Sequence, residues 1–455
     1  MQEKFLDRRL TRRAWLQATG VGAFATMLAA CAPVAAPQTE PAAPAQSAAA
    51  ASGDLRVSSS GYQGALSYWV LGYAPGNAFA STMDAAVGVF TAANPDITVE
   101  ITGYAPDQEG MTKLTTAVQG GQAVDIFRLP SDLLPGLVKD DMVVAIDDFL
   151  TDDDKADIYP NLLDAVRLKD GKAFAWPLWV PPMGMYMNLD VFEEKGIELP
   201  ARDWTYEQFL DLAMQLTFTR ENGEQVYGFT GFIDAGVVNT WPLFMNEDPS
   251  VRPLSADFSK FTFDTPEAAA ALTRFAELAL VHKVTPPDFG AQAAADVQGG
   301  FKNKAYAMYT DASGPSANYA ADNVNFDVWP MPTYNGNQVT AAGIGLIAIT
   351  QSDDTAKLQA AMDLGRYLTS AEVQSDVPGF YLAPGARKSV ELTEPVSKFS
   401  EFVPYTWITP ILAEWPQIRT IIHPELQNII FGKATAEEAM ARIAPEINEI
   451  LANRA

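Results

Sequence analysis

Apolar and polar residues alternate through Leu66-Ser67-Tyr68-Trp69-Val70, as they do along a half-buried β-strand. Met83, Val87 and Phe90 then recur at helical spacing, which predicts a helix over Ala80 to Ala92 that Asn94-Pro95-Asp96 breaks. Ile97, Val99 and Ile101 alternate as a second strand. Lys113 to Val118 forms a short helical stretch closed by Gly120-Gly121, and Val124-Asp125-Ile126-Phe127 is a third, more buried strand. Strand, helix, strand, helix, strand is the signature of an α/β fold with a largely parallel sheet.

Later helices carry start signals. Thr205 with Gln208 makes a capping box ahead of Phe209, Leu212, Ala213 and Leu216, and Thr435 with Glu438 opens the last helix the same way. Thr265-Pro266-Glu267 opens another, with proline at the first helical position. Thr151 before Asp152-Asp153-Asp154 marks a solvated helix start with acids in its first turn. Asn222-Gly223 and Asn335-Gly336 predict hairpin turns, and no internal repeat is evident.

The first 30 residues have another character. Lys4, Arg8, Arg9, Arg12 and Arg13 precede an apolar run from Ala18 to Ala30, which suits an export signal and is too short to span a bilayer. Thr11-Arg12-Arg13-Ala14-Trp15-Leu16-Gln17 resembles a twin-arginine signal, without settling whether that route or general secretion is used. Leu28-Ala29-Ala30-Cys31 resembles a lipobox, so residues 1–30 are expected to be removed and Cys31, the single cysteine, to be lipidated. Residues 31–60 are mostly Ala, Pro, Ser and Gln, too poor in apolar surface to fold, and read as a disordered tether. Such a tether spans roughly 30 Å, from about 5–6 Å times the square root of its length. The expected location is the outer face of a cell membrane, or its periplasmic side.

Composition narrows the chemistry. The chain has 31 Lys and Arg against 56 Asp and Glu, a net charge of −25, and losing residues 1–30 would make it more acidic still. Nucleic acid is therefore not an expected partner. About 395 residues follow Ser60, enough for two cored domains. No later apolar run approaches 18 residues, and one cysteine permits no internal disulfide. His282 and His423 stand far apart, no His/Cys cluster has metal spacing, and the triple aspartate lacks the glycine and distal glutamate of an EF-hand. No phosphate loop or GxSxG elbow appears, so no cofactor, metal or catalytic residue is expected.

Several segments recur in a recognisable order. They are Asn94-Pro95-Asp96-Ile97-Thr98-Val99; Gly120-Gly121-Gln122-Ala123-Val124-Asp125-Ile126; Trp176-Pro177 through Tyr186-Met187-Asn188-Leu189-Asp190-Val191-Phe192; and Gly196-Ile197 with Pro200, Trp204-Thr205 and Phe209. Ala307-Met308-Tyr309, Pro330-Met331-Pro332 and Gly432 to Ala439 continue it. This order, over roughly residues 62 to 453, resembles the family 1 extracellular solute-binding proteins, the maltose-binding-protein-like receptors of ABC importers. The resemblance implies a two-lobed, type II periplasmic-binding-protein-like α/β fold whose discontinuous lobes are joined by a hinge. Lobe one is expected over 62–178 plus 332–380, and lobe two over 183–328 plus 381–455.

A sugar site needs aromatic plates for C–H faces and polar partners for hydroxyl edges. By resemblance, Trp69 and Tyr73 stand where the family places cleft aromatics after the first strand. Ser131 and Asp132 follow the third strand, with Asp132 at a position that accepts sugar hydroxyls. Arg128 on the same loop would bind an anionic group or pair with Asp132. Trp176 and Trp179 flank the first crossover, Trp241 matches an aromatic-rich cleft segment, and Trp415 and Tyr381 complete the aromatic candidates. Asp311 lies near another family aromatic position, where Ala312 and Ser313 depart from the pattern and leave one plate missing. Gly343 and Gly345 would let backbone approach ligand. Trp204, Trp329 and Trp407 read as packing.

The implied role is binding: a monomeric lipoprotein that takes a sugar or oligosaccharide between its lobes and delivers it to membrane permease subunits. Other polar solutes (a polyamine, a peptide, a phosphorylated polyol), a sensor role and a secreted glycoside-active enzyme remain as alternatives at this point.

Overall fold

The computed structural model describes residues 54–105, 108–233 and 238–454. The expectations for the signal segment, for Cys31 and for residues 32–53 of the tether lie outside the described residues. Along the chain the strands are β1 (Gly64–Leu71), β2 (Ile97–Tyr104), β3 (Ile126–Pro130), β4 (Trp176–Trp179), β5 (Gly184–Asn188) and β6 (Phe218–Thr219). There follow β7 (Gln225–Thr230), β8 (Tyr306–Asp311), β9 (Phe326–Trp329), β10 (Thr340–Ala342), β11 (Gly345–Ile349) and β12 (Thr406–Ile408).

They build two five-stranded sheets, in the orders β2-β1-β3-β11-β4 and β6-β7-β8-β5-β9. β1 pairs parallel with β2 and β3, whereas β11 runs antiparallel to both β3 and β4. In the second sheet β7 and β8 are parallel, and β5 is antiparallel to β8 and β9. The first three strands and two helices fall where the apolar pattern put them. Asn222-Gly223 joins β6 to β7, and Tyr334 bridges Asn337 across Asn335-Gly336, both residues of that turn having positive φ. The capping boxes at Thr205, Thr435 and Thr151 are all formed. Among the described residues no helix is long and apolar enough to cross a membrane, and no group of three His, Cys, Asp or Glu could hold a metal.

Each sheet has its own apolar core, giving two lobes of α/β architecture. Their chain boundaries differ from the expected ones in three places. Residues 54–60, read as tether, are pinned to the first lobe: Arg56 makes a two-bonded contact with Asp376, at 2.8 Å each, and Ser58 donates to Asp363 at 2.8 Å. These partners lie some 300 positions away, beyond the reach of a composition argument. Val339 and Ala341, expected in lobe one, pack into the second core, as does Met331, which lay between the expected lobes. Phe380, Tyr381, Ala386 and Val390, the last three expected in lobe two, pack into the first.

Asp154 also departs from expectation. It is not a solvated helix-start acid but is buried between two arginines, 2.9 Å from Arg366 and 2.8 Å from Arg387. Thr151 Oγ1 donates to it at 2.8 Å. Burial pushes the Asp154 carboxyl up, but Arg387 and the Thr151 bonds outweigh it and hold the group below the usual aspartate value. This network ties the helix Asp152–Asp157, the helix Thr355–Leu368 and the 387 segment together.

The chain crosses between the lobes at residues 180–183, 340–342 and 406–409. The three crossings are bonded to one another: β10 pairs parallel with β12, Thr340 Oγ1 donates to the Met183 carbonyl at 2.6 Å, and the Thr409 N–H donates to the Ala342 carbonyl at 2.9 Å.

Candidate functional site

Beside these crossings lies a cavity of about 360 Å³. The first lobe supplies Leu71 at the end of β1, Arg128 to Asp132 at the end of β3, Trp179 at the end of β4, and Gly343 to Gly345 before β11. The second lobe supplies Val238, Ala312 just after β8, and Trp415 and Arg419 on the first turns of the helix Trp415–Ile430. Pro181, Met183 and Thr409 come from the crossings. The parallel strands β1, β3 and β8 thus all present their carboxyl ends to it, where open α/β sheets bind ligands.

Arg128 is the most unusual group here. It is 9 % exposed, and its guanidinium carbon lies 3.9 Å from the centroid of the Trp179 ring and 4.8 Å from that of Phe79. Among the described residues it has no carboxylate partner and makes no side-chain hydrogen bond. Burial pushes its pKa down to about 10, which leaves it a cation at neutral pH. The expected Arg128–Asp132 pair is not formed. Asp132 instead faces Arg419 of the other lobe at 4.0 Å, so an ion pair crosses the cavity.

Trp179 depends on Gly345. A Cβ on Gly345 would stand 2.2 Å from Trp179 Nε1, so only glycine leaves the slot that the indole fills. Gly343 is open by comparison: its nearest neighbour to a built Cβ is Thr409 Oγ1, 3.8 Å away. Trp415 is the member of a buried aromatic group that reaches the cavity. Trp241 and Trp407 pack edge-on against it with centroids 6.0 and 6.3 Å away.

Seven expected site residues therefore come together: Arg128, Ser131, Asp132, Trp179, Gly343, Gly345 and Trp415. The other six do not line this cavity. Trp69 stops two residues short of the end of β1, where the helix Gln108–Gln119 covers the sheet, and Lys113 sits 5.5 Å from its ring centroid. Tyr73 turns back after Gly72, whose φ is +77°, and donates to Asp84 at 2.9 Å. Trp176 is fully buried in the first core, against Gly365. Tyr381 is buried there too, donating to the Ser370 carbonyl at 3.2 Å. Trp241 stands behind Trp415, stacked at 18° on Trp407. Asp311 turns into the second lobe and accepts from Gln298 at 2.9 Å and from the Ala312 N–H at 2.8 Å. Burial pushes its carboxyl up to about 6. Ala312 occupies its place at the wall, which fits the missing plate.

Sequence reasoning passed over Arg419, Thr409 and Met183. Arg419 had a usable signal, since it follows Trp415 by four residues on one helix face. Thr409 and Met183 had none, because their place is set by the crossings. The walls are mainly apolar, with Arg128, Ser131, Asp132, Thr409 and Arg419 as the polar groups. Asp132 is the single carboxylate on them among the described residues, so the opposed pair that glycoside hydrolysis uses is not assembled there. The arrangement has room for a small polar molecule between apolar faces.

A family model for bacterial extracellular solute-binding proteins matches residues 85–403. The chain belongs to that family. Members bind solutes, and the solved structures that this solute-binding protein matches share its two-lobed fold. The sugar-binding protein MalE of Xanthomonas citri superposes with a TM-score of 0.71 at 18% identity, covering 86% of this chain and 98% of the other. The cyclic alpha-maltosyl-1,6-maltose binding protein of Arthrobacter globiformis gives 0.70 at 20% identity, over 86% and 99%. A solute-binding protein of Thermotoga lettingae bound with alpha-D-tagatose gives 0.66 at 23% identity, over 86% and 100%. By sequence, a binding protein of Brucella abortus (strain 2308) is 22% identical over 371 residues, 80% of this chain and 88% of that one.

Proposed function

We propose that this protein is the exported receptor of an ABC importer, taking a sugar or oligosaccharide into the cavity between its lobes and handing it to a membrane permease. The observation that carries the reading is a cavity walled from both lobes, with the indoles of Trp179 and Trp415 and the cross-lobe Asp132–Arg419 pair. Solved neighbours of the same fold carry maltose-type sugars or tagatose, which supports a carbohydrate ligand. A solute that touches both lobes favours their closed arrangement over an open one, because it gains contacts only when closed. Closure then marks the loaded receptor for its permease. Cys31, lipidated after removal of residues 1–30, holds the monomer at the membrane with the residues before 54 as its tether. Lipoproteins carrying two or more acyl chains anchor stably.

Titration calorimetry against a carbohydrate panel tests the assignment. Saturable binding of at least one sugar, weakened in Trp179→Ala and Trp415→Ala proteins, is expected. Tight binding of a non-carbohydrate solute with no response to any sugar would overturn it.

A further inference from the structure

Among the described residues the cavity carries two guanidinium groups, Arg128 and Arg419, against one carboxylate, Asp132. Asp132 faces Arg419, which leaves Arg128 without a countercharge among the described residues. A cation held at 9 % exposure with no carboxylate near it is costly unless something neutralises it. Its flat faces are already satisfied: Trp179 lies 3.9 Å away, and Phe79 also packs against it. Its in-plane N–H donors are the part left over, and they are what a planar anion accepts from.

We infer that the bound sugar bears a single carboxylate, a uronic acid or a short uronide, and that Arg128 receives it through a two-bonded contact. This rests on the carbohydrate reading above and names the class within it. One carboxylate balances Arg128, the cation left over among the described residues of the wall. A phosphate monoester, with a charge of about −1.5 to −2, would overshoot that balance. The fork of the guanidinium also matches a carboxylate in geometry, where a lysine would act as a point charge. At about 360 Å³ the space is near the small end of the range of about 300–1,000 Å³ for small-molecule sites, which favours one or two sugar rings.

The test uses the full chain and matched ligand pairs: glucuronate, galacturonate and their disaccharides, each against its uncharged methyl ester, with the parent neutral sugars and the sugar 6-phosphates alongside. A charge-assisted hydrogen bond to a buried cation makes the acid bind about 10- to 100-fold more tightly than its ester. Arg128→Gln removes that preference, and Arg128→Lys retains only part of it. The acid–ester comparison on the unaltered protein decides the matter even if either variant fails to fold. Equal affinity for acid and ester, or tighter binding of neutral sugars or phosphates, overturns the carboxylate while leaving a carbohydrate receptor standing. Silence toward every sugar, charged or neutral, removes the carbohydrate reading and this inference with it.

Discussion

Asp154→Asn should be among the most damaging single substitutions in the first lobe, although the residue is remote from the cavity. The wild-type carboxylate is almost fully buried and takes contacts of 2.9 Å from Arg366, 2.8 Å from Arg387 and 2.8 Å from Thr151 Oγ1. The amide keeps the volume but loses the charge and one acceptor. It leaves Arg387, itself nearly buried, with its cation uncompensated on that side. Removing one partner of a buried pair costs about 3–5 kcal/mol. Roughly 400 folded residues, at about 2.1 cal/mol/K each, give an unfolding entropy near 0.8 kcal/mol/K, so the melting temperature should fall by about 4–6 °C. The effect has a defined pH course. The Asp154 carboxyl lies below its unfolded value, so its stabilisation is complete above about pH 4 and is lost as pH falls through the depressed value. Wild type and variant should therefore converge in strong acid. Differential scanning calorimetry at pH 7 and at acid pH reads both effects, with the exposed neighbour Asp153→Asn as control. A melting temperature within 1 °C of wild type at pH 7, or a difference that persists unchanged into acid, would refute the argument.

Gly345→Ala should force Trp179 out of its slot, because the new methyl would stand 2.2 Å from Nε1. About 1–3 kcal/mol of stability and about tenfold or more in solute affinity should go with it, by calorimetry, as the Arg128 stack is lost. Asp311→Asn should change stability and spare binding. Its folded carboxyl titrates near 6, above the unfolded value of about 3.9, so the wild type gains from this group as pH falls from 7 to 4, by up to about 3 kcal/mol. Denaturation across that range should show the gain in wild type and lose it in the variant, with affinity unchanged within threefold. Cys31→Ser in the full chain should move the protein from the membrane fraction to the soluble one and leave its affinity as it was; retention on the membrane would remove the lipid anchor from the proposal.

The parts of the fold that local pattern controls were legible in the sequence. β1, β2 and β3, the helices between them and the capping boxes at Thr205 and Thr435 follow from spacing and end residues alone. The two-lobed architecture came from the order of segments instead, since no period in the chain announces a crossing. For the site, proximity to a strand end was the working clue, and it succeeded where the strand end is free. Ser131 and Asp132 emerge beyond β3, but Trp69 lies under the helix Gln108–Gln119. Aromatic character did not distinguish Trp415 from Trp241, because one lines the cavity only by standing in front of the other. Lobe boundaries were missed at 54–60 and 381–390 because Arg56 and Arg387 are fixed by carboxylates far away in sequence. Arg128 was expected to bind an anionic group or to pair with Asp132; that Asp132 faces Arg419 instead is a three-dimensional fact.

The strand order β2-β1-β3-β11-β4 has a bearing on how the protein comes into being. β11 lies between β3 and β4 and bonds to both, yet it is made only after every strand of the other sheet. A growing chain that has reached Trp179 holds four of five strands with a gap in the middle of the sheet. The lobe that starts first cannot finish until residues 345–349 arrive, by which time β5 to β9 are all available to pair. Synthesis from the amino end thus does not yield one lobe and then the other. The first sheet waits for this late segment while the second can already pair, and a nascent chain stalled before Gly345 has two open strand edges where the finished protein has a filled slot.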